Sequence, residues 1–302
     1  MPYAFLRLPR LLVGLLVAWT ALSLPARAQS GEASSFPFLE FASSARAAGL
    51  GGSLAAVADG DVNALFYNPA LLDSTTHRAA GLSYLNYLAD VNAGFLAYGH
   101  EVDGLASVGA GLRFMSWGTL EGANEFGERT GTFGAGDAAL TVAAARPWGG
   151  RWHYGASVHV VYARIESARA AALSADFGVR YRIPAQQIVL GASVNHLGRA
   201  VDSFGPTRDR LPFDVRLGLT KRLLHLPLLL SLTGYDLHAL DGGPEDGTTL
   251  DRILAHLRLG GELTLGELFQ VRFGYDHRRH RALALRDGFD AAGLGLGFGL
   301  LL

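Results

Sequence analysis

The chain has 302 residues, 49% hydrophobic and only 18% charged, with 39 glycines, no cysteine and a formal net charge of −1. That composition excludes a disordered chain, a disulfide framework, a thiolate metal site and the basic face that nucleic-acid binding requires. Past the first 25 residues no run of about 18 apolar residues occurs, so membrane-spanning helices are excluded as well.

The first ten residues carry Arg7 and Arg10, and 11–24 are almost unbroken in apolar character. Ala26-Arg27-Ala28 follows, a small-x-small cleavage site with Gln29 as the first mature residue. A basic start, a short apolar run and small residues at the cut predict a cleaved signal peptide over 1–28. No cysteine follows the cut, so it does not predict a lipoprotein. Loss of Arg7, Arg10 and Arg27 takes the net charge to −4.

Residues 29–78 show no alternation. Phe36-Pro37-Phe38-Leu39 opens the segment, and 43–52 are rich in Ala and Gly. Asp59-Gly60-Asp61-Val62-Asn63 and Asn68-Pro69-Ala70-Leu71-Leu72 complete it. Small residues permit close packing, and Asn-Pro interrupts regular structure.

Residues 79–302 are different. In 173–183 the residues Leu173, Ala175, Phe177, Val179 and Tyr181 alternate with Ser174, Asp176, Gly178, Arg180 and Arg182. Adjacent strand residues point to opposite faces, so each such segment has one apolar side and one polar or glycine side. About twelve strands follow, near 80–88, 93–100, 105–117, 137–146, 151–165, 172–183, 188–197, 212–222, 228–237, 253–263, 268–276 and 291–302. Long connections are expected at 118–136, 198–211, 238–252 and 277–290, with short turns between them. Long loops on every second connection, joining strands of about ten residues, predict an all-β fold: a transmembrane antiparallel up-and-down β-barrel. Residues 29–78 then suit a plug inside its lumen.

With the long loops outside, both termini are expected on the periplasmic side. Tyr84, Tyr87, Trp117, Trp148, Trp152, Tyr181, Tyr235 and Tyr275 are expected in interfacial girdles. Arg113, His159, Asp176, Arg180, Asp214, Arg216 and Arg272 are expected to face inward, because charge is costly in lipid.

A resemblance adds to this reading. Phe38-Leu39, Ser44-Ala45-Arg46-Ala47 with Leu50-Gly51-Gly52, Asp61-Val62-Asn63 and Asn68-Pro69-Ala70-Leu71-Leu72 resemble the N-terminal signature of PorV/PorQ-type barrels, FadL-related outer-membrane proteins of the type IX secretion system. The stretch from Leu82 to Val91, Tyr98-Gly99-His100, Asn195-His196-Leu197-Gly198-Arg199, Leu211-Pro212-Phe213 and Phe273-Gly274-Tyr275-Asp276-His277-Arg278-Arg279 resemble the PorQ-like members. The resemblance implies a non-enzymatic barrel in a cell-surface attachment complex. Its implied partners are a PorZ-like surface protein, the sortase-like PorU, PorV, and outer-membrane lipid including lipopolysaccharide. It marks Ser44, Arg46, Gly51, Gly52, Asp61, Asn63, Asn68 and Pro69 as the motif of the plug-like segment. The resemblance implies about fourteen strands, so 12–14 are expected, with either a final hairpin beyond Leu302 or a different closure of the barrel.

Other chemistries are weakly supported. Asp59, Asp61 and Asn63 imitate a calcium loop, but its sixth position is Ala64 and its twelfth Ala70. His277 and His280 lie in a run with Arg278, Arg279 and Arg281, whose charge opposes a metal; the run reads first as a solvated external loop, with lipopolysaccharide phosphates as the alternative its guanidinium forks suit. No nucleotide-binding glycine loop or nucleophile elbow is present; Ser231 and His256 could meet across neighbouring strands as in a membrane-embedded lipase, but nothing singles them out. No cofactor or metal is expected. The alternative to an attachment-complex barrel is a FadL-like transporter passing hydrophobic small molecules through a plugged lumen.

Overall fold

The computed structural model describes residues 34–240, 248–283 and 290–301, so the signal peptide expected over 1–28 lies outside the described residues. Alternation becomes twelve strands: β1 (Ala80–Asn86), β2 (Asn92–Val102), β3 (Ala106–Ala123), β4 (Arg129–Trp148), β5 (Trp152–Ile165), β6 (Ala168–Ile183), β7 (Ile188–Asp202), β8 (Asp214–Arg222), β9 (Leu228–Gly234), β10 (Leu257–Leu265), β11 (Phe269–Asp276) and β12 (Leu294–Leu300). Each pairs antiparallel with its sequence neighbours in chain order, the up-and-down arrangement. Among the described residues no ladder joins β12 to β1.

The two faces separate as the period-2 pattern requires. Along β5 the residues Gly155, Ser157 and His159 are buried while Tyr154, Val158, Val160 and Tyr162 are exposed. The same division leaves Leu96, Leu140, Phe177, Leu217, Phe273 and Leu296 on the outer surface. An apolar exterior this continuous is unsuited to water and matches the lipid-facing wall of a barrel. The core therefore sits in the lumen, where residues of 36–72 pack on small wall residues such as Ala97, Ala143 and Ala163.

Three expectations change. Residues 118–136 are mostly strand rather than loop, because β3 and β4 run for 18 and 20 residues and continue past a bulge between Ser116 and Thr119. Beyond the bulge both faces are largely exposed, so no apolar alternation marks the strands there. Spanning needs only about 10 residues, and the hairpin projects at the long-loop end. Its tip is held by Asn124, whose Oδ1 accepts from the backbone N–H groups of Phe126 and Glu128 at 3.0 and 2.9 Å.

The second change concerns the chain path. Ser35 N–H donates to the Arg210 carbonyl and its hydroxyl to Asp209 at 2.6 Å, within the long 203–213 connection. The described chain therefore starts at the long-loop end, not at the short-turn end. It traverses the lumen and reaches β1 at the short-turn end, where the Glu101 N–H donates to His77 Nδ1 at 3.0 Å. Third, Tyr235 is no girdle residue. It is 4% exposed and faces the lumen, whereas Tyr84, Trp148 and Trp152 are exposed on the outer wall.

Candidate functional site

The plug is built from short capped turns. Ser44 caps the helix Ala45–Gly49 by accepting from the Ala47 N–H at 3.1 Å. Asp61 caps Val62–Phe66, Asn68 caps Pro69–Leu71 and Asp73 caps Ser74–Thr76, each accepting a backbone N–H two residues ahead. Pro69 occupies the first position of its turn, where no backbone donor is needed. Gly51 and Gly52 have φ of +84° and +95°, which ends the first helix where L side chains are disfavoured.

The wall accepts this segment because its inward face is cut back to glycine. A Cβ on Gly155 would lie 2.6 Å from the Pro69 carbonyl carbon, and one on Gly260 would lie 2.6 Å from the Leu50 carbonyl oxygen. Gly178 meets the Asn68 side chain, Gly191 the Ala55 carbonyl and Gly274 the Gly51 backbone. The wall glycines pair with one another in register, Gly155 with Gly178, Gly191 with Gly218, and Gly260 with Gly274. They form a belt on which plug backbone lies directly.

Charge fastens the plug above that belt. Arg46 donates Nε and Nη2 to Glu262 of β10 at 2.8 and 2.7 Å, and Nη1 and Nη2 to Asp59 at 3.0 and 2.7 Å. Asp61 adds a contact at 3.3 Å, and Arg272 of β11 donates to Glu262 at 2.7 Å. Burial opposes charge on Arg46, but hydrogen bonds and charge from Asp59 and Glu262 outweigh it and fix the guanidinium as a cation. Burial likewise pushes Asp59 up, yet Arg46 holds its carboxyl below the usual carboxylate range. Asn63 donates to Asp61, so the calcium-like run is an internal cap and an arginine seat.

A second fastening joins Asp73 to Arg180 of β6 at 2.8 Å and to Arg182 at 3.3 Å. Asn68 donates to the Ala55 and Val179 carbonyls at 3.1 and 3.2 Å, linking plug to plug and plug to wall. Arg113 of β3, 2% exposed, donates to the plug carbonyls of Leu39 and Phe66, with its guanidinium 4.5 Å from the Phe66 ring centre.

A buried polar network lies beside it. His159 bridges Thr141, 2.8 Å from Nδ1, and Asp176, 2.9 Å from Nε2. Asp176 also accepts from the His196 N–H at 2.7 Å, and Asn195 and Ser193 donate to the Tyr67 carbonyl at 3.0 Å. All of these wall side chains are at most 4% exposed, so the network joins strand to strand and wall to plug. Thr141, Ser193 and Tyr67 carried no sequence signal. The inward placement of Arg113, His159, Asp176, Arg180, Asp214, Arg216 and Arg272 agrees with the strand alternation.

The long-loop end carries the other group of expected residues. Arg278 opens the helix His277–Leu283 by turning inward, pairing with Asp236 and lying 4.8 Å from the Tyr235 ring centre. His280 Nδ1 lies 3.0 Å from the Ala292 carbonyl oxygen and His277 Nε2 lies 3.4 Å from Asp251, so the two rings do not converge on one ion. Only Arg279 and Arg281 of this run project as exposed arginines. A second helix, Thr249–Leu254, starts from a Thr248–Asp251 capping box, which delays β10 to Leu257. Asp214, Asp236 and His238 bring ligand atoms within 4.8 Å of one another, but Arg216 and Arg278 neutralise the two carboxylates and disfavour a cation. Ser231 pairs with Gly260, four residues past His256, which lies just before β10, a separation of about 13 Å along the chain; the two do not meet.

No protein-family model matches the sequence, and no curated protein matches it. Among solved structures, the toluene transporter TodX of Pseudomonas putida is similar over 78% of this chain and 83% of its own, with 15% identity and a TM-score of 0.53. CdiB of Acinetobacter baumannii matches over 72% of this chain and 46% of its own, with 14% identity and a TM-score of 0.36. The likeness to TodX is one of fold. With the apolar outer wall and the filled lumen, it supports a transmembrane antiparallel β-barrel fold for this chain.

Proposed function

We propose that this barrel is a non-enzymatic member of the type IX secretion attachment complex. In this reading it holds a PorZ-like surface partner beside the sortase-like PorU and PorV while secreted cargo is processed and attached. The observation that carries the reading is the build of the long-loop end. The β3–β4 hairpin projects there with Phe126 87% exposed at its braced tip. Two short helices beside long loops present exposed Leu250, Ile253 and Leu283 together with Arg279 and Arg281. Exposed aromatic and aliphatic anchors on ordered supports suit protein docking, and guanidinium groups suit lipopolysaccharide phosphates.

The alternative, passage of hydrophobic small molecules, draws on the fold shared with a toluene transporter. It requires the plug to move against the buried Arg46 and Asp73 ion pairs, which favours the docking reading. The test is affinity capture of the full chain from detergent-solubilised outer membrane. Recovery of a PorZ-like protein is expected, and its loss in Phe126→Ala supports hairpin docking. Capture without any such partner overturns the proposal.

A further inference from the structure

The glycines Gly155 and Gly178 pair across β5 and β6, and Pro69 and Asn68 of the plug lie on them. The next inward pair towards the short-turn end is His153 of β5 opposite Arg180 of β6. Side chains so placed on one face stand about 5 Å apart at Cβ.

Arg180 is 0% exposed, yet only its Nη1 is engaged, donating to Asp73 Oδ2 at 2.8 Å. Its Nε and Nη2 are buried and have no hydrogen-bond partner among the described residues. These two atoms form one edge of the guanidinium, and their N–H groups run parallel, a fork that matches an anion. Arg46 turns the same edge to Glu262, at 2.8 and 2.7 Å. Nothing in the described chain does this for Arg180. His153 Nδ1 is likewise buried without a partner. Buried polar groups are ordinarily paired, so three such nitrogens on one register pair call for a ligand.

Charge decides between a water and an anion. Arg180 and Arg182 both turn to Asp73 Oδ2, at 2.8 and 3.3 Å, so two cations share one carboxylate. Asp59, the neighbouring acid of the plug, is held bidentately by Arg46. A water would complete the hydrogen bonds and leave a buried positive charge over, which is costly. An anion supplies both.

We infer that Arg180 and His153 hold a small monovalent anion between wall and plug, seated on the Nε–Nη2 edge of Arg180 with the His153 Nδ1–H as a further donor. A halide and a compact oxyanion such as nitrate share that chemistry. The ion completes the charge balance of the Asp73 fastening. The site stands independently of the attachment-complex reading.

The test is the melting temperature of the full chain in dodecyl maltoside as sodium chloride or, separately, sodium nitrate replaces sodium gluconate at constant ionic strength. A saturable rise with at least one of the two small anions is expected, and which one acts separates halide from oxyanion. Arg180→Lys keeps the positive charge facing Asp73 but lacks the paired N–H edge. It should raise the half-saturating concentration by about tenfold, the scale of one charge-assisted hydrogen bond, and His153→Leu by a smaller factor. The heat-induced gel shift checks that each variant is folded, and His153→Leu carries the test if Arg180→Lys is not. No rise with either anion (the result a bound water gives), a rise without saturation, or an unchanged half-saturating concentration in the folded variants overturns the inference.

Discussion

Arg46 and Glu262, 216 residues apart in sequence, meet through two hydrogen bonds of 2.8 and 2.7 Å. Arg46 also serves Asp59 and Asp61, so removing it leaves three carboxylates together in the lumen. Arg46→Met should cost about 3–5 kcal/mol, the loss expected when one partner of a buried pair is removed. The readout is the temperature at which the folded band shifts in detergent gels. Glu262→Gln should lower it less, because Arg46 keeps Asp59. A variant Arg46→Met as heat-resistant as the parent would contradict this fastening.

The glycine belt yields a positional contrast. Gly155→Ala and Gly260→Ala place a Cβ within 2.6 Å of plug backbone, whereas Gly134→Ala meets nothing within 4 Å. The belt variants should lose about 1–3 kcal/mol by overpacking. Gly134→Ala, matched in chemistry, should stay near the parent in the same gel assay.

Acid should loosen the plug. Hydrogen bonds and charge hold the Asp59 and Asp73 carboxyls below their ordinary value of 3.8, against the upward push of burial. Both bind protons more weakly folded than unfolded, so their stabilisation is complete above that ordinary value and is lost as pH falls through the depressed folded values. Glu40 acts in the opposite sense: burial and the nearby Asp236 charge raise its pKa, so protonating it favours the folded chain. Thermal stability followed below pH 5 should fall most steeply under pH 4 and fall less in Asp73→Asn. An equal acid slope in that variant would count against the assignment.

Arg278 and Arg279 are adjacent but should behave differently. Arg278→Ala removes the Asp236 ion pair and should lower thermal stability, while Arg279→Ala should leave stability unchanged and weaken retention on immobilised lipopolysaccharide. Limited proteolysis of the loops, run beside the retention assay, separates the two effects.

Most of the wall was legible in the sequence, because a one-residue step reverses the face a side chain meets. Segments such as Phe269–Asp276 and Leu294–Leu300 carry that rule in full. It failed where both faces meet water, as in the projecting β3–β4 hairpin, and where the Thr248–Asp251 capping box diverts the chain into a helix. The plug motif residues stood out, but their partners did not. Pairing Arg46 with Glu262, or Asp73 with Arg180, depends on how a non-repeating segment lies against a distant strand register. Local spacing carries no record of that. The path of the plug is hidden for the same reason: contacts of Ser34 and Ser35 with Arg210 and Asp209 place the start of the described chain.

The glycine belt also bears on how the barrel reaches its final form. An inward face cut back to glycine has little to pack against itself, and Arg180 finds its carboxylate, Asp73, only in the plug. An empty wall is therefore a poor folding intermediate, and strands and plug should gain their order in one cooperative step. On this view the N-terminal segment acts as a mandrel around which the strands register, and deleting it should yield misassembled chains rather than an open pore.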